Sequence, residues 1–234
     1  MSKGKERRDL KYIKCLKKLI VKERGYFGMK KILLFSVLFL LLFSFSKNAY
    51  AYTPPSPTCY TTFDHVNVNG TYNKLYFVDG SASAYVNLSI NAMDSWVNSV
   101  ARTGVNTRIY YNRTAVKADS LMDIYYNLNT PPVNGVYEIA HTEFFVSSTL
   151  VYPWNQNWNW NRIILNTNSV AFSALSDYDK QGTLAHEMGH AFGLGHLTSA
   201  QLALGKQVVM LQMLQGRTVN QPVADDLNGI NYMY

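Results

Sequence analysis

Cysteine is nearly absent from this chain of 234 residues, which contains only Cys15 and Cys59. A dense disulfide framework, a common source of stability in small secreted domains, is therefore excluded. Charged residues are also scarce, at 16%, whereas 47% of the residues are hydrophobic. This balance excludes intrinsic disorder, which requires low hydrophobicity and high net charge. The chain is therefore expected to be stabilised by a hydrophobic core.

The formal net charge of the chain is +7, but the excess of basic residues is confined to its first part. Residues 1–51 contain thirteen Lys and Arg and three Asp and Glu, whereas residues 52–234 contain nine and twelve. The second and longer part is thus mildly acidic. This distribution excludes a basic nucleic-acid-binding surface as the leading hypothesis.

Residues 29–51 have the pattern of a secretory signal peptide. Two lysines precede an apolar run over residues 32–45, and the small-residue site Ala49-Tyr50-Ala51 predicts cleavage before Tyr52. The alternative is a membrane anchor, but the run has about 14 residues and a membrane-spanning helix needs about 20. We therefore expect a secreted, extracellular protein without a stable membrane anchor. Cleavage would leave Cys59 as the only cysteine, so no internal disulfide could form.

Residues 1–28 are unusual ahead of a signal peptide because ten of them are basic. The codons for residues 22–25 (KERG) would be rich in purines and lie shortly before Met29, as a bacterial ribosome-binding site does. We therefore hypothesise that translation starts at Met29 and that residues 1–28 do not belong to the protein. The alternative is a long basic start of the signal peptide.

The remaining sequence predicts one α+β domain with a mixed sheet. Residues 52–72 contain three prolines and little periodicity, which predicts an extended N-terminal segment. In residues 73–234, strands are predicted at Lys74–Val78 and residues 107–111, 121–126, 136–146 and 162–166, and helices at residues 83–97 and from Asp177 toward Gly193. This order of elements indicates an α+β fold.

Three tryptophans, Trp154, Trp158 and Trp160, occupy even positions in an asparagine-rich stretch. An extended chain would place their rings on one face. Such a row could stack against sugar rings or a substrate peptide, or it could clamp a long loop onto the domain. We favour the clamp.

Residues 184–196, LAHEMGHAFGLGH, have the ligand spacing of a zinc site. Ser176 and Asp179 predict a capping box, which would start a helix near Asp177. On that helix, His186 and His190 are four residues apart and so lie on the same face. Two imidazoles in this arrangement can bind one zinc ion.

Glu187, Gly193 and His196 complete the pattern of a catalytic site. Glu187 directly follows the first ligand and can hold a metal-bound water without being a ligand itself. Gly193 can adopt the left-handed conformation that ends a helix, so His196 can return as a third ligand. Three protein ligands leave the fourth position open, as in catalytic rather than structural zinc sites. The alternative of incidental histidines is disfavoured, because three of the five in the chain fall within eleven residues at ligand spacing.

The segment matches the metzincin signature HExxHxxGxxH at every fixed position. The chain resembles a small, secreted, bacterial matrixin-like metzincin. Metzincins have a methionine turn below the metal, for which Met210 and Met213 are candidates. The end of the chain, with the pair Asp225 and Asp226 followed by Gly-Ile, resembles the C-terminal helix of matrixins, and the matrixin spacing to this pair selects Met210.

The resemblance implies a metzincin-like domain with a mixed, mostly parallel twisted sheet, an active-site helix and a small C-terminal subdomain that ends in a helix. It implies that Asp226 accepts bonds from the backbone of the methionine turn. We expect Asp225 to be exposed at the helix start, unless a trimmed N-terminal amine pairs with it as in mature matrixins. The resemblance further implies that the substrate lies extended along an edge strand, for which residues 136–146 are the candidate. The segment after Met210 would wall the pocket for the residue that follows the scissile bond.

Several features depart from the family. Gln212 stands where astacins and serralysins have a zinc-binding tyrosine. His141 lies near the position of a structural-zinc ligand but lacks companions, and we interpret His141 and His65 as structural or surface residues. Cys59 precedes the catalytic domain as the latency cysteine of matrixin zymogens does, but its neighbours do not match the latency motif, so we interpret it as an ordinary thiol. Asparagine-rich loops could supply oxygen ligands for Ca²⁺, although no segment has calcium-site spacing.

These features predict a monomeric, secreted zinc-dependent endopeptidase. His186, His190 and His196 would hold one catalytic Zn²⁺, and Glu187 would act as the general base toward protein or peptide substrates. No nucleic-acid partner is expected. The alternative is a secreted carbohydrate- or cell-surface-binding module with a vestigial zinc site. An intact Glu187 speaks against that alternative, because a merely structural metal does not need it.

Overall fold

The chain forms a mixed sheet with helices, as a computed structural model describes it for residues 59–133, 135–168 and 170–234. These residues belong to one unit, Pro54–Tyr234. The strands are β1 (Thr61–Thr62), β2 (Lys74–Val78), β3 (Tyr111–Thr114), β4 (Met122–Leu128), β5 (Ala140–Val146), β6 (Thr149–Val151), β7 (Trp160–Asn166) and β8 (Leu194–Gly195). The predicted leader and signal peptide lie outside the described residues.

Six of these strands form the main sheet, in the order β3-β2-β4-β7-β5-β6. The first four are parallel, and β5 and β6 are antiparallel to their neighbours. The central strand β7 is buried along most of its length and β4 over its first three residues, as parallel strands covered on both faces are. The prediction of an α+β fold with a mixed, mostly parallel sheet is therefore confirmed.

Five α-helices lie within the described ranges: α1 (Val86–Val97), α2 (Val100–Thr103), α3 (Asp177–Ala191), α4 (Ser199–Leu202) and α5 (Ala224–Met233). Short 3₁₀ turns occur at Gly80–Tyr85, Lys117–Asp119, Phe172–Ala174 and Met213–Gln215. Helix α1 packs on α3, and the buried Trp96 indole donates a hydrogen bond to the Ala185 carbonyl at 3.0 Å. None of the described helices is long and apolar enough to span a membrane.

Three predicted elements are displaced in the structure. The strand expected at residues 107–111 is wrong, since pairing with β2 begins only at Tyr111. Ile109 and Tyr111 are both buried, so the apolar alternation starts before the hydrogen-bonded ladder does. The strand expected at residues 136–146 starts at Ala140. The helix expected at residues 83–97 starts as a 3₁₀ turn at Gly80, where the Asp79 side chain accepts a bond from the Ser81 N–H.

The described part of the N-terminal segment packs on the domain. Strand β1 pairs with β8, and the Phe63 N–H donates to the Gly193 carbonyl at 2.9 Å. Farther along, Asn67 forms an isolated parallel bridge with Trp158. The segment is therefore anchored next to the residues that precede His196.

The tryptophans do not form one exposed row, which corrects the expectation from their even spacing. The chain turns where the Asn155 N–H bonds to the Tyr152 carbonyl, so the stretch is not extended. Trp158 is fully buried, Trp160 stacks on Phe145, and Trp154 is 49% exposed. Trp154 and Trp158 both pack edge-on against Phe63, whereas Trp160 has a different partner.

Candidate metal centre

Helix α3 carries two of the three candidate ligands. Its N-cap is Ser176, whose hydroxyl accepts a bond from the Asp179 N–H at 3.2 Å, which is one half of the predicted capping box. The Asp179 carboxylate accepts from the Ser176 hydroxyl at 2.6 Å rather than from the Ser176 backbone. After the helix ends, Gly193 has a φ of +109°, which side-chain-bearing residues rarely adopt. This turn leads into β8 and brings His196 back to the helix.

The three histidines converge on one point. His196 Nε2 lies 3.2 Å from His186 Nε2 and 3.0 Å from His190 Nε2. A tetrahedral zinc ion with Zn–N bonds of about 2.0–2.1 Å would separate its ligand nitrogens by about 3.3 Å. The spacing therefore fits a metal ion bound by all three rings. It is the single group of three or more candidate ligands found among the described residues.

Backbone carbonyls orient the two helical imidazoles. His186 Nδ1 lies 2.8 Å from the Val209 carbonyl, and His190 Nδ1 lies 2.7 Å from the Leu194 carbonyl. A carbonyl oxygen can only accept, so each Nδ1 bears the proton and each Nε2 keeps a free lone pair. The tautomers that a metal needs are thus set by the chain.

Desolvation also favours the neutral form of these imidazoles, of which His186 is buried and His196 is exposed. Desolvation lowers the pKa of His186 well below its usual value and lowers the pKa values of His190 and His196 to about 4. The neighbouring imidazoles contribute in the same direction for His186 and His196. Neutral rings bind a metal without first releasing a proton.

Glu187 is a buried carboxylate beside the triad. Burial raises its pKa to about 7, against a smaller lowering effect of the hydrogen bond from Thr142. The Thr142 hydroxyl lies 2.8 Å from Glu187 Oε2 and 3.0 Å from the Glu187 carbonyl oxygen. Thr142 belongs to β5, 45 residues away, and sequence reasoning missed it. No local spacing rule links a strand hydroxyl to a helical carboxylate.

Met210 lies in a tight turn directly against α3. The Leu211 N–H bonds to the Val208 carbonyl at 3.2 Å, and Met210 is fully buried. Gly189, one residue before His190, leaves room for the sulfur, because a Cβ there would overlap Met210 Sδ. The same turn supplies the Val209 carbonyl that orients His186.

Asp226 ties helix α5 to this turn. Its Oδ2 accepts from the Val209 N–H at 3.0 Å and the Val223 N–H at 2.8 Å, and its Oδ1 accepts from the Met210 N–H at 3.3 Å. The carboxyl is fully buried, and burial raises its pKa to about 7 although the three backbone donors lower it. These are the backbone bonds expected of this residue.

Asp225 is placed differently from the expectation. Its side chain is only 25% exposed, and its carboxylate pairs with Lys206 Nζ at 2.9 Å. Lys206 lies in the loop before the methionine turn and covers the aspartate. The expectation of a freely exposed side chain is therefore wrong.

Two further side chains contact the ligands. The Phe63 ring stacks on His190, with 5.9 Å between centroids and 23° between planes. The Gln212 amide nitrogen lies 3.4 Å from His196 Nε2. An amide thus lies beside the ligands, whereas Phe63 could not be linked to the site by any sequence spacing.

The other residues considered from sequence lie outside the triad. His141 lies between Glu138 and Glu143, with N···O distances of 3.3 and 3.6 Å. His65 is partly buried, and the Cys59 thiol is fully buried, 3.9 Å from the Gln201 carbonyl. None of the three supplies an atom to the ligand group.

Comparison with known proteins does not identify a family. No protein-family model matches the sequence, and no curated protein matches it.

Proposed function

We propose that this protein is a secreted, zinc-dependent endopeptidase of the matrixin-like metzincin type. The observation that carries the proposal is the buried Glu187 carboxylate on α3, which directly follows His186 and lies three residues before His190, where the three imidazoles converge. A structural metal site has no use for a buried carboxylate that is not a ligand. Three histidines leave an open coordination position on a tetrahedral ion, which favours a catalytic ion.

A bound zinc ion would lower the pKa of a water molecule to about 7 and polarise the carbonyl of the scissile peptide. The chain's own contribution centres on Glu187. Its pKa of about 7 suits a group that takes a proton from the attacking water and then gives it to the departing amine. The Thr142 hydroxyl donates a hydrogen bond to Oε2, so Oε1 is available for this proton transfer.

The free edge of β5 supports an extended substrate. Strand β6 pairs only with Phe144, Phe145 and Val146, so residues 140–143 have β7 as their one described strand neighbour. Thr142 lies in this stretch and contacts Glu187. A peptide that added to this edge by backbone hydrogen bonds would therefore pass beside the catalytic carboxylate.

Casein cleavage with and without a chelator tests the proposal. We expect cleavage that 1,10-phenanthroline abolishes and added zinc restores. Metal content by elemental analysis should show one zinc ion per chain. Polysaccharide or cell-surface binding without any cleavage would instead support the binding-module alternative. In that case the half-exposed Trp154 is the tryptophan that could contact the bound sugar or surface.

A further inference from the structure

Arg217 lies near the candidate catalytic carboxylate of Glu187, which acts on its guanidinium electrostatically together with Asp179 and Asp226, but no carboxylate of the described residues bonds to it directly. Its Nη2 donates a hydrogen bond to Thr183 Oγ1 at 3.3 Å. Thr183 is on α3, four residues before Glu187, so the two side chains lie on the same helix face about 5–6 Å apart at Cβ. Among the described residues, no carboxylate comes within 4.0 Å of the Arg217 guanidinium.

A gap on the helix surface accommodates this guanidinium. Gly182 has no side chain, and a Cβ there would lie 3.2 Å from Arg217 Nη2 and 3.1 Å from Asn220 Cα. The Thr183 hydroxyl also lies 3.6 Å from Met213 Sδ. The loop after Met210 therefore packs onto α3 one turn before the site and places its cation there.

The bonding of Arg217 is incomplete for a partly buried cation. A guanidinium has five N–H donors in a planar fork that matches a carboxylate, and the single described partner of Arg217 is a neutral hydroxyl. Among the other described cations, Arg162, Lys180 and Lys206 pair with carboxylates. Of those without a carboxylate partner, most are exposed, namely Arg102, Arg108, Arg113 and Lys117, and Arg102 donates to two backbone carbonyls instead. Partly desolvating a charge without pairing it is unfavourable, so a ligand that supplies the anion would be favoured there.

We infer that Arg217 binds a carboxylate of the substrate next to the scissile bond. The carboxylate is either an Asp or Glu side chain or the C-terminal carboxylate of a short peptide. The inference rests on the proposed peptidase function and gives it a substrate class, namely peptides with negative charge at the residue following the cleaved bond. This is the residue for which the segment after Met210 was expected to wall the pocket.

Matched peptides test the inference on the zinc-loaded full chain. A peptide library first maps the cleavage position, and peptide pairs with both termini blocked then differ only by Glu or Gln after the scissile bond. We expect kcat/KM to be about tenfold higher for the Glu peptide, the factor that a charged hydrogen bond supplies. A second pair with free or amidated C-termini distinguishes the side-chain carboxylate from the terminal one.

Variants separate Arg217 from general electrostatics. Arg217→Gln should remove the preference, and Arg217→Glu should shift it toward Lys. The control is Arg113→Gln, which makes the same change of charge at an exposed position of β3, the sheet edge opposite β6, and should keep the preference. In an inactive Glu187→Ala background, calorimetry should give tighter binding of the Glu peptide with Arg217 and equal binding of both peptides with Arg217→Gln.

Each outcome has one interpretation. A preference for either carboxylate source that depends on Arg217 supports the inference. Equal cleavage of Glu and Gln peptides, or a preference that persists in Arg217→Gln, overturns it and leaves the proposed peptidase intact. Absence of cleavage of every peptide and of casein would overturn the proposed function, and the inference with it. If Arg217→Gln did not fold, Arg217→Lys would replace it: a reduced preference for the Glu peptide would support the inference, and an unchanged preference would overturn it.

Discussion

Replacing Asp226 by Ala should destabilise the protein far more than replacing the adjacent Asp225. Asp226 accepts three backbone hydrogen bonds in a fully buried position, from the N–H groups of Val209, Met210 and Val223. A net hydrogen bond contributes about 1 kcal/mol, and an orphaned buried donor costs about 1–3 kcal/mol. The loss of the shared acceptor should therefore lower the free energy of unfolding by at least about 3 kcal/mol.

The matched change at Asp225 should have a small effect. Its partner Lys206 is 43% exposed, and a solvent-accessible ion pair contributes about 0–1 kcal/mol. Favourable interaction with the helix dipole adds a few tenths of a kcal/mol, on the order of 0.3. Met210→Leu, which nearly conserves volume, should cost less than about 1.5 kcal/mol.

Thermal melts of the three variants, followed by circular dichroism with zinc present, measure this difference. In a domain of this size about 1 kcal/mol shifts Tm by about 2–4 °C, so Asp226→Ala should melt at least about 6 °C below the wild type. Asp225→Ala should stay within about 5 °C of it. Equal and small shifts for the two Asp variants would refute the view that Asp226 holds the methionine turn in place.

Three further changes probe the site. Loss of a residue that only hydrogen-bonds to a zinc ligand lowers zinc affinity roughly 10–100-fold, and His196→Ala should lower it by more because it removes a ligand. Competition with a chromophoric chelator measures the affinity, and unchanged zinc content would show that His196 is not a ligand. Thr142→Val should lower kcat about tenfold with little change in KM, because Glu187 loses its hydrogen-bond donor. Thr142→Ser keeps a hydroxyl and should recover most of the lost kcat. An equal loss of kcat in both variants would contradict this role. Burial raises the pKa of Asp226 to about 7, from an unfolded value near 4, so folding favours the protonated carboxyl. In urea unfolding experiments, the free energy of unfolding of the wild type, relative to that of Asp226→Asn, should therefore fall as the pH rises from about 4 to about 7. A rise over this pH range would show that the three backbone donors outweigh burial.

Local patterns predicted the elements whose signals lie within a few residues. Strand β2 matches its prediction at Lys74–Val78 because Tyr76 and Val78 alternate with more exposed residues. Helix α3 was recognisable from the Ser176 cap and from the spacing of His186 and His190. The convergence of His196 on these ligands followed from Gly193, because a glycine there allows the sharp reversal of the chain.

Long-range contacts escaped sequence reasoning because no periodicity encodes them. Strands β1 and β8 have two residues each, which is too short to show alternation. Thr142 and Arg217 approach Glu187 from other elements of the fold, and a hydroxyl or guanidinium carries no signal of its partner. The even spacing of the tryptophans was misleading because a turn at Tyr152 breaks the extended geometry that the inference required.

The central claim is that Glu187 acts on a water molecule beside a metal held by three histidines. The most direct measurement determines zinc content and peptide hydrolysis on the same preparations of wild-type protein and Glu187→Ala. We expect one zinc ion per chain in both, with hydrolysis lower by at least about 10²–10⁴-fold in the variant. Hydrolysis that survives in Glu187→Ala, or a wild-type protein that binds no zinc, would contradict this claim.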